Sequence, residues 1–224
     1  MSAVGQGFFV TGTGTDVGKT ISTVVLMHYF QNQGKIVSGF KPVASGCTRY
    51  SGQLRNQDAL VLQSKSSRSL PYELINPYAF EPAVSPHIAA KETNRVIDFS
   101  VITANYAALA GASDIVFVEG VGGWHAPLSD SADVATLAKV LALPIILVVG
   151  IQLGGINYAR LTFDAICASG LPCVGWIANC VEPEMAASTE NIATIKRFIT
   201  APLLGIIPYD KTMNFSVLAK GIQW

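Results

Sequence analysis

Two lysines, two carboxylates and a run of glycines carry the chemistry open to this chain. Gly12-Thr13-Gly14-Thr15-Asp16-Val17-Gly18-Lys19-Thr20 follows the apolar run Phe8-Phe9-Val10. The strict phosphate-loop spelling places four residues between its first glycine and Gly-Lys-Ser/Thr. Here Gly12 has five before Gly18-Lys19-Thr20, and Gly14 has three. In such a loop the backbone N–H groups curl around phosphate oxygens, and the following helix N-terminus adds partial positive charge. Lys19 would reach the terminal phosphates and the Thr20 hydroxyl would ligate Mg²⁺. The bland alternative is a glycine-rich turn with an exposed lysine.

Glu119 closes Ile115-Val116-Phe117-Val118 and precedes Gly120-Val121-Gly122-Gly123. A carboxylate at the end of a buried strand is costly unless something cationic meets it. Mg²⁺ on nucleotide phosphates would do so; a salt bridge or a capping role is the other reading. Asp58 begins Asp-Ala-Leu-Val-Leu and reads equally as a metal ligand or a helix N-cap. Lys41 ends an apolar run in Lys41-Pro42-Val43-Ala44-Ser45-Gly46. A second cation beside the phosphate loop points to an anionic substrate or intermediate in addition to the nucleotide, against a solvated surface lysine. Asn179 ends Gly175-Trp176-Ile177-Ala178, where its amide could read a base edge. His28, His87 and His125 read as structural or exposed, His125 in Trp124-His125-Ala126-Pro127 having the strongest claim to more. Nothing near Cys47 marks it as a nucleophile.

These side chains act together only if a scaffold gathers strand ends. Continuous apolar runs predict strands at 7–11, 36–41, 115–119, 145–149, 174–179 and 203–207, buried on both faces. Helical stretches are expected at 20–33, closed by Gly34, and at 58–64, 100–110, 132–141, 157–168 and 189–198. The alternation implies right-handed crossovers and a parallel sheet covered by helices on both sides, one α/β domain over residues 1–224. Residues 41–86, rich in Pro, Ser, Gly and Asn, are expected to form working loops. In such sheets ligands bind beyond the carboxyl ends of the strands, where the phosphate loop, Lys41, Glu119 and Asn179 all fall.

Composition narrows the function. The chain has 224 residues, half of them apolar and 13% charged, with 15 basic and 15 acidic side chains and no Lys/Arg run. Nucleic-acid binding lacks its electrostatic footprint. No apolar stretch reaches the length of a membrane span; residues 145–150 are far too short. No basic segment followed by a long apolar one opens the chain, so no secretory leader is expected. Cys47, Cys167, Cys173 and Cys180 form no Cys-x-x-Cys pair and have no histidine at metal-ligand spacing. Reduced thiols and a cytoplasmic enzyme are expected.

An ordered set of motifs then resembles the dethiobiotin synthetase family, ATP-dependent ligases that close the ureido ring of dethiobiotin. It comprises Gly12-Thr-Gly-Thr-Asp-Val-Gly-Lys-Thr20, Lys41-Pro-Val-Ala-Ser-Gly46, Leu54-Arg-Asn-Gln-Asp58, Asn76-Pro-Tyr78, Ser85-Pro-His87, Glu119-Gly-Val-Gly-Gly-Trp124, Ala126-Pro-Leu128, Gly175-Trp-Ile-Ala-Asn179 and Ala201-Pro-Leu-Leu-Gly205. Each is weak alone; the set runs from the first strand to about Tyr209. The family's phosphate loop carries the extra residue. The resemblance implies a P-loop NTPase-like fold, a homodimer, and ATP, CO₂ and 7,8-diaminononanoate as substrates. An amine takes up CO₂ as a carbamate, the carbamate attacks the γ-phosphate, and the second amine closes on the carbamic–phosphoric anhydride.

Carried onto matching positions, the resemblance gives Mg²⁺ to Thr20, Asp58 and Glu119, and charge stabilisation to Lys19 and Lys41, with Thr15 and Ser45 near the reacting groups. Nucleotide contacts fall on Thr15, Asp16, Val17, Gly18, Lys19, Thr20, Asp58, Glu119, Gly120, Val121 and Gly122. The base falls toward Asn179, Cys180, Pro208, Tyr209 and Asp210. Leu153, Gly154 and Asn157 lie in the segment that receives the substrate carboxylate near the dimer interface. Cys180 stands where the family pattern has aspartate, and the segment after Tyr209 departs from the pattern; both bear on the base pocket. Rival readings are a partitioning-type switch ATPase, whose loop carries a second lysine where this chain has Thr11-Gly12-Thr13, and a related amidoligase or CO₂-independent kinase.

Overall fold

Phe8, Phe9 and Val10 are all buried, and their alternation explains the architecture. Successive side chains of a strand point to opposite faces. Phe8 and Val10 join Ile115, Phe117, Ile146 and Val148 in one apolar cluster, while Phe9 joins Val116, Val118, Ile145, Leu147 and Val149 in another. A sheet with both faces apolar must be covered twice. The computed structural model, which describes residues 5–210 and 212–224, shows that arrangement.

The strands are β1 (Gln6–Gly12), β2 (Val37–Phe40), β3 (Ile115–Glu119), β4 (Ile145–Ile151), β5 (Cys173–Cys180) and β6 (Leu203–Ile207). They pair in the order β6-β5-β4-β1-β3-β2, every pair parallel. The principal helices are α1 (Lys19–Gln31), α2 (Gln57–Lys65), α3 (Phe99–Ala112), α4 (Val134–Leu141), α5 (Gly155–Ala168) and α6 (Ser188–Phe198). Val24, Val25, Leu26 and Met27 of α1 pack on the Phe8 face, and α3 to α6 supply the Phe9 face. Ala59 and Leu62 of α2 reach one cluster each at the β2 edge. Full burial of such side chains is worth about 1.5–3 kcal/mol apiece, so the sheet and its covers form together.

The β1–α1 connection leaves on one face and the β3–α4 connection on the other. The loops after β1 and β3 therefore diverge, opening a crevice between neighbouring strand ends.

All six expected strands and the principal helices form, with shifted limits. Gly34 closes α1 at φ 78, where Lys35 N–H donates to the Phe30 carbonyl at 3.1 Å and Gly34 N–H to Gln31 at 2.9 Å. That pair of bonds needs a left-handed residue, which glycine adopts freely. Helix α5 begins at Gly155 rather than 157, and α4 begins at Val134, capped by Asp133 with Thr136 closing a capping box. The N-cap reading of Asp58 is wrong. Asn56 is the cap, its side chain accepting from Ala59 N–H at 3.2 Å, and Asp58 lies in the first helical turn.

Residues 41–86 hold more structure than expected. Val43–Ala44 pairs with Tyr78–Ala79, Thr48–Tyr50 pairs with Gln53–Arg55, and Tyr72–Ile75 is a short helix, with another at Pro86–Glu92. Beyond β6, Phe215–Leu218 and a 3-10 turn at Ala219–Gly221 bring Trp224 to 4.9 Å from the rings of Phe8 and Phe30. Among the described residues no helix is long and apolar enough to cross a membrane.

Candidate active site

The phosphate loop joins β1 to α1. Gly18, at φ 85, is the residue before the helix, and a Cβ there would lie 2.1 Å from the Asn179 amide nitrogen. Both the backbone sign and the close approach demand glycine. Val17 turns its side chain into the core, and its carbonyl accepts from Asn179 Nδ2 at 3.1 Å. Asn179 lies within β5, so strand β5 braces the loop from the side. Lys19 Nζ donates to the Gly14 carbonyl at 2.7 Å. Burial, then the nearby charge of Lys41, pulls the Lys19 ammonium down to a pKa of about 8, although Glu119, Asp58 and Asp16 oppose this.

Three elements deliver the charged centre. Lys41 follows β2, Glu119 ends β3, and Asp58 projects from the first turn of α2. Lys41 Nζ lies 2.6 Å from Glu119 Oε1 and 3.1 Å from Asp58 Oδ2, and it also donates to the Gly120 carbonyl at 3.3 Å. Glu119 is fully buried and Lys41 is 3% exposed. Burial pushes the Lys41 pKa down, but Glu119 and Asp58 outweigh it and hold the ammonium above its usual range. Burial pushes the Asp58 carboxyl up, and Lys41 outweighs that in turn, leaving it below the usual carboxylate range. The solvated-surface reading of Lys41 therefore fails.

The residues suit a divalent cation. Thr20 Oγ1 donates to Glu119 Oε1 at 2.8 Å, which brings hydroxyl and carboxylate together, and Glu119 Oε2 is buried with no hydrogen-bond partner. A buried acceptor without a donor is expensive unless a ligand meets it. Asp58, 45% exposed at its side chain, opens the cluster to solvent. Among the described residues no three His, Cys, Asp or Glu side chains form a metal cage. The Thr20 hydroxyl with the Glu119 and Asp58 carboxylates suits a hard cation that would keep waters and phosphate oxygens.

A cleft of about 740 Å³ spans this centre. Thr15, Asp16, Gly18, Lys19, Thr20, Lys41, Ser45, Asp58, Glu119, Val121 and Gly122 line it, as sequence reasoning expects. Its far wall is Ala83, Val84, Ser85 and Pro86, of which only Ser85 and Pro86 carried a motif signal. Past Asp16, Gly18 and Ile21 a second cavity of about 390 Å³ takes in Asn179, Cys180, Pro208, Tyr209 and Asp210. Met213 and Leu218 complete it, in the segment that departs from the family pattern and so gave no signal. The Asp210 carboxylate is turned onto its own loop, Oδ1 accepting from Thr212 N–H at 2.7 Å and from the Thr212 hydroxyl at 2.6 Å.

Not every expected residue joins the cleft. Gly120 contributes its carbonyl to Lys41, and Val17 only backbone. Leu153, Gly154 and Asn157 sit at the start of α5, outside both cavities, with Leu153 93% exposed. His125 lies beside the cleft loop, its Nδ1 2.7 Å from Asp133 Oδ2, which ties that loop to the cap of α4.

A family model described as an AAA domain matches residues 6–216. The ATP-dependent dethiobiotin synthetase BioD of Xylella fastidiosa strain M12 is 46% identical over 202 residues, covering 90% of this chain and 89% of the relative. That of Xanthomonas oryzae pv. oryzae is 44% identical over 216 residues, covering 96% of each. Among solved structures, the MinC:MinD cell division complex of Aquifex aeolicus aligns with a TM-score of 0.59 at 17% identity, over 97% of this chain and 86% of that one. The signal recognition particle 54 kDa protein of Aeropyrum pernix K1, in complex with GDP, aligns at 0.55 and 14%, over 96% and 43%. Those two share the P-loop NTPase fold alone. With the identity, the coverage and the cleft agreeing, this chain belongs to the ATP-dependent dethiobiotin synthetase family.

Proposed function

We propose that the chain joins 7,8-diaminononanoate and CO₂ into dethiobiotin at the expense of ATP, a step of biotin biosynthesis, releasing ADP and phosphate. The observation that carries this reading is the buried Lys41 ammonium beside the phosphate loop, held by Glu119 at 2.6 Å and Asp58 at 3.1 Å. A cation at the end of the strand beside the phosphate loop supports a reaction with an anionic acceptor in addition to the nucleotide.

One amine of the diamine adds to CO₂, losing a proton and becoming a carbamate. A carbamate oxygen then bonds to the γ-phosphorus as the bond to ADP breaks. The second amine forms the C–N bond of the ring while the C–O bond to phosphate breaks. Lys19 swings from the Gly14 carbonyl onto the phosphates, Lys41 faces the carbamate, and Thr15 and Ser45 border the reacting groups. Both partners are anions, so positioned cations supply most of the acceleration. Thr20, Asp58 and Glu119 would hold Mg²⁺, which when bound would neutralise charge on the transferred phosphoryl group. The purine occupies the smaller cavity, where Asn179, its Nδ2 committed to Val17, offers Oδ1 as an acceptor.

The working form is a cytoplasmic homodimer with no nucleic-acid or membrane partner. Leu153, Tyr158 and Leu161 are 93%, 48% and 61% exposed at the start of α5, an apolar face suited to a second copy. Dimerisation there carries Gly154 and Asn157 toward the partner subunit's cleft to meet the substrate carboxylate. Light scattering that finds a monomer at assay concentration would refute this part.

ATP turnover with diamine, with and without bicarbonate, tests the whole. ADP release should require both, and mass spectrometry should find the ureido product. Diamine-independent hydrolysis would instead indicate a switch ATPase, and diamine-dependent but bicarbonate-independent turnover a kinase.

A further inference from the structure

Lys41 and Asp58 come from different elements, and a third segment is hydrogen-bonded to both of those elements. The Lys41 carbonyl accepts from Asn76 Nδ2 at 2.6 Å, and Asn76 Oδ1 accepts from the Tyr72 hydroxyl at 2.9 Å. The Tyr72 oxygen in turn accepts from Asn56 N–H at 2.7 Å. Asn56 is the N-cap of α2, the helix whose first turn bears Asp58. In parallel, Lys41 N–H donates to the Ile75 carbonyl at 2.9 Å. Asn76 and Tyr72 are 3% and 5% exposed, so no water competes for these bonds.

The chain of bonds is directional and fully satisfied: each oxygen has a donor and each hydrogen an acceptor. A phenol serves at its centre because it can donate to one neighbour and accept from the other. Rigid linkages of this kind fix a functional constellation where packing alone leaves it loose.

We propose that Tyr72 and Asn76 are positioning residues, a buried strut that sets the cap of α2, and with it Asp58, against Lys41. The inference rests on the proposed roles of Asp58 and Lys41. The strut touches no substrate and acts only through those two side chains. Misplacing a reacting geometry by an ångström costs up to roughly a hundredfold in rate without loss of fold.

Tyr72→Phe is the test, since it removes one oxygen and keeps the ring. It should lower kcat roughly tenfold to a hundredfold, raise the Mg²⁺ concentration needed for half-maximal rate, and leave the KM for ATP within about twofold. Amide exchange should quicken at residues 56–60. In an Asp58→Asn background the same change should cost almost nothing further, because groups acting as one unit are not additive.

Arg55→Ala provides the stability control. Its guanidinium lies 4.1 Å from the Tyr72 ring centroid and outside the strut. It should lower Tm comparably while kcat stays near wild type. Wild-type kcat and Mg²⁺ dependence in Tyr72→Phe, losses that multiply with Asp58→Asn, or equal loss of kcat in Arg55→Ala would each overturn the proposal. If Tyr72→Phe is too unstable to assay, Asn76→Ser, which loses the donor to Lys41 without burying a charge, carries the same expectations. Should the wild type make no dethiobiotin, the functional reading fails by itself. The strut is then still read from whether Tyr72→Phe weakens Mn²⁺ binding in the presence of ATP.

Discussion

The two ends of the cleft are built on opposite principles. At the phosphate end, Lys19, Lys41 and Glu119 are buried, Lys41 and Glu119 as an ion pair and Lys19 held by the Gly14 carbonyl. At the other end, in the smaller cavity where the base is proposed to sit, Tyr209 and Met213 are 43% and 42% exposed, and part of the wall comes from the last turns of the chain. Charges buried in pairs are strongly coupled, so a change at one is felt by the rest. An exposed, mostly apolar wall transmits little. Mutations should therefore have large and linked effects at one end and small, local effects at the other.

Glu119→Gln should break the phosphate end most severely. It leaves the Lys41 ammonium buried with its nearest counter-charge gone, a loss of about 3–5 kcal/mol of stability. Urea unfolding reads that figure, and turnover should fall with it. An unchanged unfolding midpoint would mean the pair is worth little.

Lys41→Ala comes next and separates binding from chemistry. Its kcat should drop by a factor of order 10² to 10³, the usual effect of deleting a preorganised electrostatic partner. ATP affinity should stay near wild type, and Lys41→Gln should rescue little, because an amide carries no charge. Isothermal titration with ATP and steady-state rates together decide it. Lost ATP binding with a near-normal kcat would make Lys41 a nucleotide anchor instead.

The third effect depends on pH. Lys19 loses its proton near pH 8 in the folded protein but near 10.5 unfolded. If its charge meets phosphate as proposed, kcat/KM for ATP should fall about tenfold per pH unit above about 8. Lys19→Arg should remove that fall, since guanidinium stays charged. The stability effect has the opposite sense. The unfolded chain binds the extra proton, so Lys19's penalty on folding is full below about 8 and fades as pH rises toward 10.5.

Cys180→Ser should have the smallest effect. Burial pushes this thiol up, away from the reactive thiolate, and the residue lines only the base cavity. Turnover should be retained and the KM for ATP should move by no more than about threefold, as expected of a near-isosteric change in an apolar wall. Complete loss of activity in a folded variant would show that the base end is as tightly coupled as the phosphate end.

Legibility in the sequence follows the same division. Strand ends were readable because a continuous apolar run stops at a polar residue, as at Lys41 and Glu119, and a buried parallel sheet places such residues at one rim. The phosphate loop was readable because glycine and lysine are forced there by backbone shape and charge. Asp58 was ambiguous for a physical reason: Asn56 two residues earlier caps equally well, and only folded geometry shows which of them the helix uses. Tyr72 and Asn76 had no periodic or strand-end signal, since their bonds run between segments far apart in sequence. Met213 and Leu218 lay hidden in a stretch without a matching motif.

The sequence alone thus determined the order of strands and helices, the turn that cradles phosphate, and which charged residues stand at strand ends, since these depend on local backbone preference and on the burial of apolar runs. Only the tertiary structure decided that Lys41 meets Asp58 and Glu119 together, that Asp210 folds back on its own loop, and that the last turns of the chain help wall the smaller cavity. Those outcomes depend on distances between residues tens of positions apart, which are set by how crossovers place whole elements and not by what any one of them prefers.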